Sequence, residues 1–368
     1  MLKIIQSGSG FTGKFALRGV IERSDMELVG MLAHSPEKKG RDAGEIVGLP
    51  PVGVVATDNI DELLKLDADC VLFLAKDPNL DDPAIPGRMP AQHIDLICRF
   101  LRAGLNVVGT APSCMVYPDG VDALVIEKLE AAAKEGNSSY VGIGIDPGFM
   151  NDYLPLALTG FTSGVTKIIA QEMLNYGSYS VPEMLRSAGF GLPPKIDPEA
   201  GRPAGTVNTW GASVKAIADK LGLKLDEIRL VREQAVAEWD FEIPAFKVEK
   251  GTVAAHSFEV QGMVGGEPRI IVQHITRLHD DVAPHWARLK SGSGGFRVVI
   301  EGSPSMTCEV AMATNDAGPI AGGSATADAC HATAARAVNA VPLLCAAPSG
   351  VHSQFTLPLI TGRGLFKI

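Results

Sequence analysis

The sequence has no CxxC pair, no basic excess and no uninterrupted apolar run long enough to span a membrane. Each absence removes a class of function. The six cysteines (Cys70, Cys98, Cys114, Cys308, Cys330 and Cys345) are scattered, as reduced thiols of a cytoplasmic protein would be. His274, His279 and His285 lack metal-ligand spacing on one face, so no metal is expected. The net charge of −9, from 33 basic and 42 acidic residues, argues against nucleic acid as a partner. Without a long apolar span no membrane association is expected. The short apolar start belongs to a strand, so no signal peptide is expected either.

What is present is a core-forming composition and one glycine motif. Apolar residues make up 46% of the 368 positions and charged residues 20%, which favours two globular domains. Leu2 to Gln6 reads as a strand and runs into Ser7 and then Gly8-Ser9-Gly10-Phe11-Thr12-Gly13. A helical pattern follows, with Phe15, Leu17, Val20 and Ile21 apolar. Strand, GxGxxG and helix in that order form the dinucleotide-binding arrangement. Gly8 permits the turn, Gly10 the approach of a pyrophosphate and Gly13 close helix packing. The alternative is a merely structural glycine turn.

Alternating strands and helices over residues 1–145 predict a Rossmann-type, doubly wound parallel sheet in an α/β dinucleotide-binding domain. Thr57-Asp58 offers a helix cap, and Gly104 ends a helix running from about Pro90 to Ala103. The proline-rich stretch Asp77 to Pro90 reads either as a ligand-side loop or as a surface insertion. Residues 146–324 form an α+β substrate and dimerisation domain with a mainly antiparallel sheet. Period-two alternation sets in there from about Val236. Gly189 to Gly205 reads as a loop. Residues 325–368 hold an Ala-rich helix that Pro342 must kink or end. This tail has no Asp or Glu after His331 and is expected to return to the nucleotide domain.

Strand two ends in Ala33-His34-Ser35-Pro36 with Lys38, Lys39 and Arg41 beyond, and no carboxylate stands at its end to oppose a 2′-phosphate. That favours NADP(H), with NAD(H) as the alternative, and makes His34, Ser35 and Lys38 cofactor candidates beside Gly8, Ser9, Gly10, Phe11, Thr12 and Gly13. Leu74, Ala75, Thr110 and Ala111 end later parallel strands and border the same place, unless they are ordinary strand-end packing. Asp146-Pro147-Gly148-Phe149 joins the domains, with Asn151 just beyond as a further cofactor candidate; a hinge role is the alternative. Pro112, Ser113, Asp146, Phe149 and Asn175 are substrate candidates. Tyr176, Tyr179 and Glu172 are candidates for the catalytic proton donor, unless they are core or rim residues.

The glycine motif with Ala33 to Lys38 and Gly40 to Glu45 resembles the amino-terminal domain of dihydrodipicolinate reductase-like proteins. Asp146 to Phe149, the Glu172–Tyr179 stretch and Arg336 to Pro342 resemble 2,4-diaminopentanoate dehydrogenases and related NAD(P)H-dependent amine dehydrogenases. The resemblance covers essentially the whole chain. It implies a homodimeric oxidoreductase that moves a hydride to or from a C=N or C=O carbon of a small apolar substrate, without a metal. A His-His-rich segment as in true dihydrodipicolinate reductases is absent. Amine-active relatives carry a Glu shortly before a Tyr-Pro pair. Here Tyr117-Pro118 is present and Gly109 to Val116 contains no Glu. An ammonium group needs an anionic or strongly accepting partner in a dry site, and Ser113 cannot supply the charge. Carbonyl or alcohol chemistry, and a non-catalytic dinucleotide sensor, therefore stay open as alternatives.

Overall fold

The structure is a computed structural model that describes residues 1–75, 91–179, 182–194, 204–312 and 324–365. The chain divides into two compact units, Met1–Gly148 with Cys330–Ile368, and Phe149–Ala329. All of Asp77–Pro90, and residues 195–203 of the second loop, lie outside the described residues.

The first unit alternates as expected: β1 (Leu2–Ser7), α1 (Phe11–Ile21), β2 (Met26–Leu32), α2 (Ala43–Ile46), α3 (Ile60–Leu63), β3 (Cys70–Phe73), α4 (Ala91–Arg102), β4 (Asn106–Gly109), α5 (Ala123–Gly136) and β5 (Ser139–Gly142). β3 and β5 are buried along their whole length, which accounts for their lack of polar alternation. Asp122 caps α5 by accepting from the Leu124 amide, and Asn137, with φ 49°, closes it in the left-handed region. The cap of α3 is Asn59 rather than Thr57 or Asp58: Asn59 accepts from the Asp61 amide while Thr57 Oγ1 accepts from Asn59. Ile97, Phe100 and Leu101 of α4 pack with Val107, Leu129 and Tyr140 into one apolar core.

The second unit begins with a π-helical turn (Phe149–Tyr153) and α6 (Leu154–Thr159). It continues with β6 (Gly164–Asn175), α7 (Pro182–Ser187), α8 (Ala204–Lys220), β7 (Glu227–Val236), the short pair β8 (Phe241–Glu242) and β9 (Lys247–Val248), β10 (Val253–Val264), β11 (Glu267–Arg277), β12 (Gly295–Ser303) and β13 (Met306–Ala311). Its main sheet runs β13-β12-β6-β11-β10-β7, and only β6 and β11 pair in parallel. Strand structure in this unit thus begins with β6 at Gly164 and resumes at Glu227, both upstream of Val236 where alternation becomes legible. α8 lays Val214, Ile217 and Ala218 over Ile168, Ile270, Val272, Val298 and Ile300, so one face of the sheet is closed by a helix.

α9 (Ala325–Cys345) then carries the chain into the first unit, and β14 (Gly350–His352) pairs with β5. The completed sheet is β14-β5-β4-β3-β1-β2, parallel throughout. Pro342 does not end α9. The helix extends past it to Cys345, at the cost of the hydrogen bond that Val338 O would otherwise accept. The Phe15 ring stacks on His331 at 4.9 Å, and Arg23 donates to Asn339 Oδ1 at 2.8 Å. The doubly wound parallel sheet and the mainly antiparallel second sheet are those anticipated from the pattern. Among the described residues, no helix is long and apolar enough to cross a membrane.

Ile217 of α8 is fully buried against the sheet. Ile217→Ala is expected to destabilise the fold by about 2–5 kcal/mol, read as a lowered urea-unfolding midpoint.

Candidate functional site

The carboxyl ends of the central strands of the first unit meet along one edge. Ser7 pairs with Leu32 on one side and Phe73 on the other, and Phe73 pairs with Gly109. The alignment continues past the strands: Leu74 donates to Ser7 O at 2.7 Å and Thr110 to Phe73 O at 3.0 Å. β1 lies between β2 and β3, so the strand order reverses there. In open α/β sheets ligands bind at such a switch point.

The glycine turn occupies this point. Gly8 has φ +93°, and a Cβ on it would collide with the Leu74 carbonyl. A Cβ on Gly13 would stand 2.5 Å from Gly8 O, so α1 comes this close only without a side chain. Gly10 differs, because the space its Cβ would take is open. It is also the N-cap of α1, with no side chain capping the helix and no acidic residue in the first turn. An uncapped helix start facing open space, without a repelling carboxylate, is suited to an anion. The residues present therefore fit a dinucleotide pyrophosphate.

The structure brings most of the other cofactor candidates of this unit to the same edge. Lys38 donates through Nζ to Ser9 O at 2.9 Å, which places its ammonium beside the glycine turn. Lys39 is taken up by Asp58 at 2.7 Å, and that pairing holds the Asp58 carboxyl below the usual carboxylate range. His34 is exposed, and Ser35 O anchors the turn by accepting from Lys38 and Lys39. Phe11 is exposed and meets Phe15 edge-on at 5.5 Å. Thr12 and Ala75 are half-buried. Ala111 is buried and leads into Pro112, whose carbonyl accepts from Met115 in the short turn that Ser113 opens. Asp146 is half-buried, in a tight turn closed by pairing of Ile145 with Gly148.

In the second unit the helix-covered face of the sheet turns polar at one row. Ile168, Ile270 and Ile300 pair across the sheet, then Ala170, Val272 and Val298, and then Glu172, His274 and Phe296. Glu172 is 7% exposed and His274 6%. His274 Nδ1 lies 3.2 Å from Glu172 Oε1. The imidazole stacks on Phe258 at 4.6 Å and meets Trp210 of α8 edge-on at 4.6 Å. A buried carboxylate beside an imidazole, walled by aromatic rings, is an arrangement that can hold a cation or pass a proton.

The three catalytic candidates are divided by this face. Tyr176 and Tyr179 lie beyond the end of β6 with rings 5.1 Å apart, and they pack on the cluster of Met173, Ile275 and Leu278. Met173 and Ile275 project from the opposite sheet face, so the tyrosines and Glu172 do not share a cluster. Asn175 is committed to its own turn: its Oδ1 accepts from the Gly177 amide at 2.8 Å and its Nδ2 donates to Asp280. Phe149 stacks on Tyr153 at 5.6 Å. Asn151 is 1% exposed, and among the described residues neither its Oδ1 nor its Nδ2 meets a partner. The histidines stood among the proton-donor candidates of the sequence, but nothing there marked His274 as the partner of Glu172. Alternation gives the face a residue occupies, whereas its partner follows from register.

Fold and turn together define a Rossmann-type α/β protein with a separate sheet unit. Residues 149–363 match the 2,4-diaminopentanoate dehydrogenase C-terminal domain family. The chain is 33% identical over 365 residues to an amine dehydrogenase of Streptomyces virginiae, covering 98% of this chain and 97% of that one. It is 25% identical to the 2,4-diaminopentanoate dehydrogenase of Acetoanaerobium sticklandii over 97% of this chain and 94% of the relative. The solved amine dehydrogenase of Mycobacterium smegmatis has the same fold, with a TM-score of 0.74 at 19% identity over 98% of this chain and 97% of that one. The chain belongs to the family of amine and 2,4-diaminopentanoate dehydrogenases, as the resemblance of its motifs implied.

Gly13→Ala forces backbone apart, whereas Gly10→Ala meets open space. Gly13→Ala is expected to lower the unfolding midpoint, by about 1–3 kcal/mol of stability. Gly10→Ala is expected to change stability by under about 1 kcal/mol. Parallel thermal melts of the two variants check this.

Proposed function

We propose that the protein is an NAD(P)-dependent amine dehydrogenase acting on the CH–NH2 carbon of a small, largely apolar amine. The single observation that carries this reading is its end-to-end kinship, at 33% identity, with an amine dehydrogenase. Overall, a protonated amine, water and oxidised cofactor give a carbonyl compound, ammonium, reduced cofactor and a proton. The bound dinucleotide would supply the hydride chemistry. The chain's own residues hold and orient. Gly8, Gly10, Gly13 and the start of α1 seat the pyrophosphate, with Ser9, Phe11 and Thr12 around it. Leu74, Ala75, Thr110 and Ala111 border the remainder of the cofactor. Pro112, Ser113, Asp146 and Phe149 are assigned to substrate contact.

The carboxylate missing from Gly109–Val116 has a substitute in this reading. Glu172 supplies the anionic partner for the ammonium group, and His274 at 3.2 Å holds that carboxylate in place. An amine in a dry, aromatic-walled site gains most from such a partner. Kinship with an amine dehydrogenase also disfavours carbonyl-only chemistry and a silent sensor. Tyr176 and Tyr179 stay as rim groups beyond the end of β6.

NADP(H) is the preferred cofactor in this reading. Lys38 stands at the glycine turn, His34 is exposed at the end of strand two, and no carboxylate follows that strand directly. A homodimer in the cytoplasm completes the proposal.

Fluorescence titration is expected to show tighter binding of NADPH than of NADH, with the preference narrowing in Lys38→Ala. Gly10→Ala is expected to weaken NADPH binding at least tenfold while leaving the fold intact. NADPH oxidation with a panel of ketones should depend on ammonia, and turnover only without ammonia would overturn the reading. Glu172→Gln should lower kcat/KM for amine oxidation by about 10²-fold or more and leave NADPH affinity unchanged.

A further inference from the structure

We propose that Asn151 is a specificity-determining residue that reads a second polar group of the substrate, one that both donates and accepts a hydrogen bond, as a hydroxyl does. This inference rests on the amine dehydrogenase reading and deepens it by naming a substrate class, the amino alcohols and their hydroxyketone counterparts.

Asn151 is 1% exposed, and both ends of its carboxamide lack a partner among the described residues. A buried amide has two donors and an acceptor to satisfy, and leaving them unpaired is costly. Folded proteins leave few such groups, and each asks for an explanation. An apolar side chain of the same size would pack there at no such cost. A ligand hydroxyl repays the amide on both ends, accepting from Nδ2 and donating to Oδ1.

The setting agrees with a binding role. Asn151 sits in the π-helical turn Phe149–Tyr153, and such turns recur at functional sites. The turn is pinned on both sides of it. Asp152 is fully buried and accepts from Ser213 Oγ of α8 at 2.9 Å, while the rings of Phe149 and Tyr153 stack. The turn packs against α8, β6 and β12, on the helix-covered side of the sheet. Glu172 and His274 occupy that same side, with Trp210 of α8 against the imidazole. One face of one unit therefore offers an anion for an ammonium group and an unspent amide for a neutral polar group. A neutral amide does not attract a carboxylate as a basic side chain would, and the Glu172 carboxylate on the same side of the sheet disfavours one.

The test compares wild type with Asn151→Leu, near in size and without polar atoms. Melts of the ligand-free proteins come first. Asn151→Leu is expected to melt at the same temperature or higher, because no hydrogen bond is lost. A clear fall in Tm would show the amide to be structurally satisfied and would overturn the proposal.

The second measurement uses a panel of amino alcohols with the hydroxyl two to five carbons from the amine, each beside its hydroxyl-free amine, with NADP+ present. Binding is read by thermal shift and turnover by kcat/KM. In wild type at least one amino alcohol should be favoured over its partner by about tenfold or more. Asn151→Leu should lose that preference, with each amino alcohol falling to the level of its hydroxyl-free partner. Turnover without any hydroxyl preference, or a preference that survives in Asn151→Leu, overturns the role of Asn151. Absence of turnover for every amine with either cofactor overturns the amine dehydrogenase reading instead. The thermal-shift comparison still decides the role of Asn151 in that case.

Discussion

The carbonyl of Leu74 occupies the space that a side chain on Gly8 would need. Much of the first unit follows from this contact. β1 can hand the chain to α1 only by turning through a left-handed residue directly against the end of β3. Gly13 must then approach Gly8 O, which sets how closely α1 lies on the sheet. The result is a helix start without a cap, opposite open space, where the strand order reverses. A helix start suited to an anion is thus a by-product of how tightly the first turn is wound. Lys38 adds its charge from the neighbouring strand end by holding the Ser9 carbonyl.

The second unit solves a different problem. Its sheet face is apolar through two cross-strand rows beneath α8 and charged at the third, where Glu172 and His274 stand side by side. A lone carboxylate at that depth would be expensive to keep ionised. The imidazole offsets the cost, and Phe258 and Trp210 fix the ring from two directions. Period-two geometry sends Met173 and Ile275 to the other side, with the tyrosines clustered on them. A strand of alternating character can in this way carry a titratable pair on one face and ordinary packing on the other.

The glycine turn and the parallel strands were legible because their chemistry is local. Gly8, Gly10 and Gly13 have fixed spacing, and β3 and β5 are short apolar runs between turns. α8 was not legible. It opens in a stretch rich in glycine and proline, and Thr206, Asn208, Thr209 and Gly211 are weak helix formers, so tertiary packing of Val214 and Ile217 decides it. Glu172 stood out as a titratable residue at a strand end. Its partner did not, because β6 and β11 are about a hundred residues apart and nothing local sets their register. Asn151 stood out by its place in the chain, but only the structure shows its amide unspent. The cap of α3 missed by one residue, since Thr57, Asp58 and Asn59 are all competent caps and helix geometry selects among them.

The parallel sheet of the first unit has one of its two edge strands, β14, late in the chain, and α9 leads to it only after the second unit has been made. A ribosome therefore releases β5 as an unprotected sheet edge long before its neighbour exists. The second unit, contiguous in sequence, can close on itself first. The nucleotide-type unit, first to begin, is last to finish, and in the interval its exposed edge is open to strands of other chains.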